Sequence, residues 1–382
     1  MLVRRFSLVV LLGISLLLSA CAAEKPQPVK ITAVEPSLEE KIGQMLMVGF
    51  RGLTVVDGDP ILRDIRQYHL GGVILFDRDV ASGGMQRNIA SPGQVRDLVA
   101  SLQQTAKVPL LVAVDQEGGR VARLKEQQGF PRSLSARFLG DRSDPQLTRR
   151  ETAFMATALA TAGINLNLAP VVDLNVNPDN PVIAKLERSF SSDPQVVTEQ
   201  AEAFIAAHHE RGVLCAIKHF PGHGSSRDDS HLGLVDVSET WSDVELEPYR
   251  RLIANGIVDA VMTAHIYNKQ LDPVYPATLS RAVITGMLRG MLGYDGVVIS
   301  DDLQMGAIRA EYSWEETVQT AIDAGVDILL IANNTQFDPD IVPKTVDLIQ
   351  TLVREGKVSP QRIDASYQRI QRLKARLKKV VD

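Results

Sequence analysis

Eight short apolar runs, each followed by a longer amphipathic segment, constrain this chain more than any other feature. The runs lie at 45–50, 71–76, 110–115, 164–173, 213–219, 258–265, 296–301 and 326–332, and they are rich in Val, Ile and Leu. Runs of that length bounded by turn signals read as strands, and the capped periodic segments between them read as helices. Ser192-Asp193-Pro194 opens one such helix, closed at Gly212, and Ser313-Trp314-Glu315-Glu316 opens another, stopped at Gly325. Eight strand–helix units across 38–382 predict an α/β fold, a (β/α)8 TIM-type barrel forming a single catalytic domain with some enlarged loops. A doubly wound open sheet is the alternative arrangement of the same units.

Polar and ionisable residues gather where the runs end: Asp115, Asp173, Lys218, His219, His265, Asp301 and Asn333. One charged strand end means little, but so many together mark the face on which barrels of this kind carry their chemistry. The tail at 359–381 reads as a basic amphipathic helix with Ile363, Tyr367, Ile370, Leu373 and Leu377 on one stripe, packed against the body. No internal repeat and no low-complexity segment marks another domain.

The first residues have a different logic. Arg4 and Arg5 precede an apolar run at 8–18, too short for a comfortable membrane span and suited to a signal peptide at 1–20. Leu18-Ser19-Ala20-Cys21 resembles the bacterial lipobox, in which the cysteine is lipidated and becomes the first mature residue. The plainer alternative is ordinary cleavage near Ala20 with an idle Cys21. Segment 21–37 carries Pro26, Pro28 and Pro36 among polar residues and reads as a semi-extended tether. The expected location is outside the cytoplasm, anchored through lipidated Cys21 and facing the periplasm or cell exterior. In a Gram-negative cell it is the outer membrane, since Ala22 is not the aspartate that favours inner-membrane retention. With Cys21 acylated, Cys215 has no disulfide partner and reads as a small core residue. A hydrophobic fraction of 45% and a formal charge of -5 describe a mildly acidic globular protein, which argues against nucleic acid as a partner. A monomer is expected.

The densest chemistry is Lys218-His219-Phe220-Pro221-Gly222-His223-Gly224, followed by Asp228-Asp229-Ser230-His231. Pro221 and Gly222 forbid a continuous helix, so the stretch reads as a loop starting at a strand end, where imidazoles can turn toward a ligand. Its three histidines admit a zinc site, but the paired His-x-His that often supplies two ligands is missing, and the adjacent His208-His209 reads as a helix surface. Asp229, two residues before His231, can orient that ring and stabilise its charged form for proton transfer. The apolar run at 296–301 delivers a carboxylate at its end. Asp301 and Asp302 would point to opposite faces of an extended chain, and Asp301 is taken as the nucleophile, with Asp302 second. Asp115-Gln116-Glu117-Gly118-Gly119-Arg120-Val121-Ala122-Arg123 combines carboxylates and arginines suited to a polyhydroxylated substrate, or to a salt-bridge network around a Gly-Gly turn.

Together these segments, with 41–50, 71–76 and Arg188-Ser189-Phe190, resemble glycoside hydrolase family 3 in its bacterial β-N-acetylhexosaminidase branch, from about Leu38 onward. The resemblance implies a retaining, exo-acting β-N-acetylglucosaminidase that forms a covalent glycosyl-Asp intermediate. In it Asp301 attacks, His231 is proton donor and then base, and Asp229 orients His231. Asp115, Arg123, Arg188, Lys218 and His219 hold the terminal N-acetylglucosamine, and no cofactor or metal is implied. Ser225, Met291 and Gln304 depart from the commoner family residues without touching those groups. Peptidoglycan fragments or related oligosaccharides are the expected substrates. Three other readings stay open: a β-N-acetylglucosaminide phosphorylase, a non-catalytic cell-wall-binding lipoprotein, and a metal hydrolase using His219, His223 and His231.

Overall fold

The structure is a computed structural model that describes residues 35–84, 86–230 and 233–377. The segment 1–20, Cys21, most of the tether and His231 lie outside the described residues. Residues Pro36–Asp382 form one compact unit. It opens at a capping box, in which Ser37 Oγ accepts the Glu40 N–H at 3.1 Å and the Glu40 carboxylate accepts the Ser37 N–H at 2.8 Å.

All eight apolar runs form strands: β1 (Leu46–Gly49), β2 (Gly72–Ile74), β3 (Leu111–Val114), β4 (Leu166–Asn167), β5 (Leu214–Phe220), β6 (Ala260–Thr263), β7 (Val297–Ile299) and β8 (Leu329–Ile331). Every neighbouring pair is parallel, from β8 through β1 and around to β7. The last gap closes where Ile299 bridges Ile328, the Ser300 N–H reaching the Ile328 carbonyl at 2.9 Å. A closed parallel ring is the (β/α)8 barrel, and closure excludes the open sheet. The strands are buried along their whole length, which is why their runs lack polar alternation. The run at 164–173 gives the shortest ladder. Pro170 has no N–H to contribute, and pairing resumes only as a bridge from Val171 to Lys218.

The helix signals hold locally. Asp193 caps Pro194–His209 by accepting the Gln195 N–H, and Ser313 caps Trp314–Ala324 by accepting that of Glu316. Cys215 is a free, buried thiol. The histidine pair corrects the surface reading. His208 is fully buried at the helix end, with Nε2 3.0 Å from Asn167 Nδ2, and His209 meets Asp259 at 2.7 Å.

The tail helix spans Pro360–Lys374, ending earlier than its pattern suggests, with Ile363, Ile370 and Leu373 buried and Tyr367 half-buried. It is fastened to the strand N-termini through Asp327, a fully buried carboxylate that accepts from Ser366 Oγ at 2.8 Å, Arg362 at 3.2 Å and Arg289 at 2.7 Å. Lys374 is less well provided for. It is buried with the neutral Gln44 Oε1 as acceptor at 2.7 Å, and burial pushes its pKa down to about 7. The fold therefore carries a penalty that is full below pH 7 and fades as pH rises toward the ordinary lysine value. Lys374→Met should raise the melting temperature by about 3 °C or more at pH 6 and by less at pH 9.5, read by thermal denaturation at both pH values.

Candidate active site

In a parallel ring all strand C-termini share one end, and this end collects the residues expected to hold a ligand. Asp115 directly follows β3. The chain then folds into an antiparallel hairpin, Gln116–Gly118 with Val121–Ala122, turned by Gly118 and Gly119 at positive φ. Gln116 Oε1 accepts the N–H groups of Arg123 and Leu124, each at 2.9 Å, which brings Arg123 back over its own strand end. There Arg123 Nη2 reaches Asp115 Oδ2 at 3.3 Å.

Strand β5 supplies Lys218 and His219, and it runs on through Phe220 rather than breaking into a loop at Lys218. The Lys218 ammonium lies 2.7 Å from Asp115 Oδ1 and 2.7 Å from Glu117 Oε1. Glu117 in turn takes a two-pronged contact from Arg188, at 2.7 and 2.8 Å. Arg188 Nη2 also lies 3.1 Å from His219 Nε2, while His219 Nδ1 lies 2.6 Å from Asp173 Oδ2. A guanidinium can only donate, so Nε2 accepts and the Nδ1–H points to Asp173. Asp115, Arg123, Arg188, Lys218 and His219 thus form one connected network. Its acids, Asp115, Glu117 and Asp173, match its cations, Arg123, Arg188 and Lys218.

Charge balance is what makes this burial tolerable. Burial by itself would raise the Asp115 carboxyl, but Lys218 and Arg123 outweigh it and hold the group far below the usual carboxylate range. Glu117 resists burial in the same way and is brought down to about 2 by Arg188 and Lys218. Burial pushes the Lys218 ammonium down, and Asp115 and Glu117 return it above the ordinary lysine value. Asp115 and Arg123 retain 17% and 30% side-chain exposure while Lys218 retains 2%, so the first two present the network to solvent.

Asp301 follows β7 and is half-buried; its Oδ1 accepts the Asp302 N–H at 2.8 Å. Asp302 has a different employment. Its Oδ1 accepts from Gln304 N at 3.1 Å and from Ala332 N at 2.9 Å, tying the end of β7 to the end of β8. Its carbonyl is met by His265 Nε2 at 2.9 Å. Gln304 Oε1 accepts the Asn333 N–H at 2.8 Å, a second tie to the same strand.

Beyond β5, His223 is turned into the protein rather than toward a ligand. Its Nδ1 is 2.8 Å from Ser226 Oγ and its Nε2 is 3.3 Å from Ser230 Oγ, and burial lowers its pKa to about 4. Asp229 is half-buried, and the Ser230 carbonyl beside it accepts the Ala307 N–H at 3.2 Å. That bond joins the segment bearing Asp229 to the short helix Gly306–Arg309 that follows Asp301. His231 itself lies outside the described residues. Among the described residues no three His, Cys, Asp or Glu side chains are grouped to hold a metal ion.

Sequence reasoning passed over Glu117, the centre of the network, although it stood inside a stretch already singled out. Asp173 was visible as a strand-end carboxylate, but its attachment to His219 was not. A cleft of about 550 Å³ lies outside the hairpin, bordered by Gly119, Lys125, Arg132, Phe138 and Glu187, and none of the five network side chains lines it.

Residues 37–373 match the Glycosyl hydrolase family 3 N terminal domain. The chain belongs to glycosyl hydrolase family 3. This family 3 chain is 40% identical to a beta-hexosaminidase of Tolumonas auensis over 276 residues, 71% of this chain and 78% of the relative. It superposes on a family 3 beta-N-acetylglucosaminidase from Paenibacillus sp. with a TM-score of 0.82 and 38% identity, covering 91% of this chain and 64% of that one. It therefore spans less than two thirds of that structure's length. A beta-N-acetylhexosaminidase from Beutenbergia cavernae gives a TM-score of 0.79 and 32% identity, covering 90% of this chain and 100% of that one.

Glu117→Ala should leave Arg188 and Lys218 without their shared counter-ion and lower unfolding stability by about 3–5 kcal/mol, read from urea denaturation. Because the folded Glu117 titrates near 2 and the free side chain near 4.5, the difference should be full above pH 4.5 and shrink as pH falls toward 2.

Proposed function

We propose that this glycoside hydrolase is a retaining, exo-acting β-N-acetylglucosaminidase. The observation that carries the reading is the convergence of strand ends. The charge-balanced network on β3 and β5 and the carboxylate Asp301 after β7 occupy one end of a closed barrel, and the Ser230–Ala307 bond draws the Asp229 segment to the short helix after Asp301. The names of the relatives favour the same activity.

In this reading Asp115 and Arg123, the exposed members of the network, meet the hydroxyls of a terminal sugar, with Lys218, Arg188 and His219 holding them from beneath. Asp301 attacks the anomeric carbon as the glycosidic C–O bond breaks, and His231, as imidazolium, gives its proton to the departing oxygen. The sugar is left as an ester of Asp301. His231, now neutral, takes a proton from water, whose oxygen attacks the same carbon and releases Asp301 as carboxylate. Two inversions retain the configuration. Imidazole, with an ordinary pKa of about 6.5, can both give and take a proton near neutral pH, where a carboxylic acid with an unshifted pKa is already ionised. Asp229 orients the ring and stabilises its charged form.

Asp301→Asn should lower turnover of an aryl β-N-acetylglucosaminide by a factor of about 10⁴ or more, with an unchanged circular dichroism spectrum. Ordinary hydrolysis by that variant would sink the assignment. Assays of the native enzyme with phosphate present, reading free sugar against sugar phosphate, separate hydrolysis from phosphorolysis. A panel adding an aryl glucoside and a muropeptide tests the proposal that peptidoglycan fragments are substrates.

We further infer export and anchoring through acylated Cys21. The support is the Arg4-Arg5 start, the apolar run at 8–18 and the Leu18-Ser19-Ala20-Cys21 sequence. Several acyl chains on one cysteine hold a protein firmly, since each buried methylene contributes about 0.8 kcal/mol. Cys21→Ala should move the enzyme from the membrane fraction to the soluble fraction of disrupted cells, and its retention on membranes would exclude this anchor.

A further inference from the structure

The turn Gly222-His223-Gly224 that leads from β5 toward Asp229 is held with unusual thoroughness. Asn180 Nδ2 donates to the carbonyls of His223 and Gly224 at 2.8 and 3.1 Å. On the other side, two successive peptide N–H groups are taken by two different buried carboxylates. The His223 N–H donates to Asp173 Oδ1 at 2.8 Å, and the Gly224 N–H donates to Glu245 Oε2 at 2.8 Å. A carbon added at Gly222 would come within 2.6 Å of Glu245 Cβ, and one at Gly224 within 3.1 Å of its Oε2, so the chain lies directly on the Glu245 side chain.

Glu245 sits in the 3-10 turn Asp243–Leu246 and is 1% exposed. Burial pushes its carboxyl up to about 7, and Asp173 adds repulsion. The peptide groups of Gly224 and Ser225 favour its ionised form, the Gly224 N–H through Oε2, while Oε1 and the Ser225 hydroxyl find no hydrogen-bond partner among the described residues. A buried carboxylate close to another acid is expensive, and an apolar side chain would fill the space at less cost. Among the described residues the Glu245 hydrogen bond goes to the Gly224 N–H, and so to the placement of the turn. From there the path to the proposed proton donor is short: Ser226 and Ser230 grip the two nitrogens of the His223 ring, and Ser230 stands between Asp229 and His231.

We propose that Glu245 is a positioning residue for proton donation, its carboxylate setting the turn from which Asp229-Ser230-His231 is presented to the leaving group. This rests on the reading of His231 as proton donor. The test compares kcat/KM, which reports bond cleavage, on two substrates: a dinitrophenyl β-N-acetylglucosaminide, whose leaving group departs unprotonated, and N,N′-diacetylchitobiose, whose leaving oxygen needs a proton. Glu245→Ala should lower kcat/KM on the disaccharide by about tenfold or more and on the dinitrophenyl glycoside by less than about threefold. Glu245→Asp, which keeps the carboxyl group but withdraws it by one methylene, should show the same split and is the variant to read if the alanine protein does not fold. Equal losses on the two substrates, or no loss on either, would overturn the proposal. His231→Ala, measured alongside, distinguishes the levels. If it shows the split and the Glu245 variants do not, only the role of Glu245 is lost; if it shows none, the donor assignment falls and this inference with it.

Discussion

Lys218 carries an ammonium to a place from which water is excluded, and it can do so because two carboxylates, Asp115 and Glu117, each lie 2.7 Å away. The ends of β3 and β5 are organised around that cluster. Glu117 is satisfied by Lys218 on one oxygen and by Arg188 across both, Arg188 sets which nitrogen of His219 accepts, and His219 is held by Asp173, which also fixes the main chain of the next turn. A rigid, charge-balanced floor of this kind suits recognition of a neutral, hydroxyl-rich ligand. Its dipoles and charges are already oriented, so binding need not reorganise them.

The barrel separates its ionic work between two ends. At the strand N-termini, the end opposite the site, Asp327 and its arginines fasten the terminal helix. At the C-terminal end the same residue types are packed around Asp115 and Arg123, the members that keep some exposure. The two clusters resemble each other chemically. What distinguishes them is the end of the strand from which they are reached, a property of parallel β-barrels and not of any one side chain.

Asp301 and Asp302 show how much rests on position. Adjacent and chemically identical, they divide the labour. Asp302 binds two peptide N–H groups, one of them on the neighbouring strand, and is thereby committed to the fold. The alternation of an extended chain already implied that only one of the pair could face the barrel axis. Which one is engaged elsewhere depends on Ala332, thirty residues away in the chain, and on a ring that closes only when β7 meets β8.

The eight strands, the caps at Asp193 and Ser313, and the clustering of ionisable residues at strand ends were legible because each is written in a few consecutive residues. Local backbone preference and the length of an apolar run need no partner to be read. Even the Asp115 and Lys218 segments declared themselves by composition. The role of Glu117, the inward turn of His223, the burial of His208 and the attachment of Glu245 to Gly224 were decided only by the tertiary structure. Each is a contact between residues distant in sequence, or the burial that follows from one. A side chain's charge and hydrogen bonds have no determined energy until closure of the barrel fixes what surrounds it.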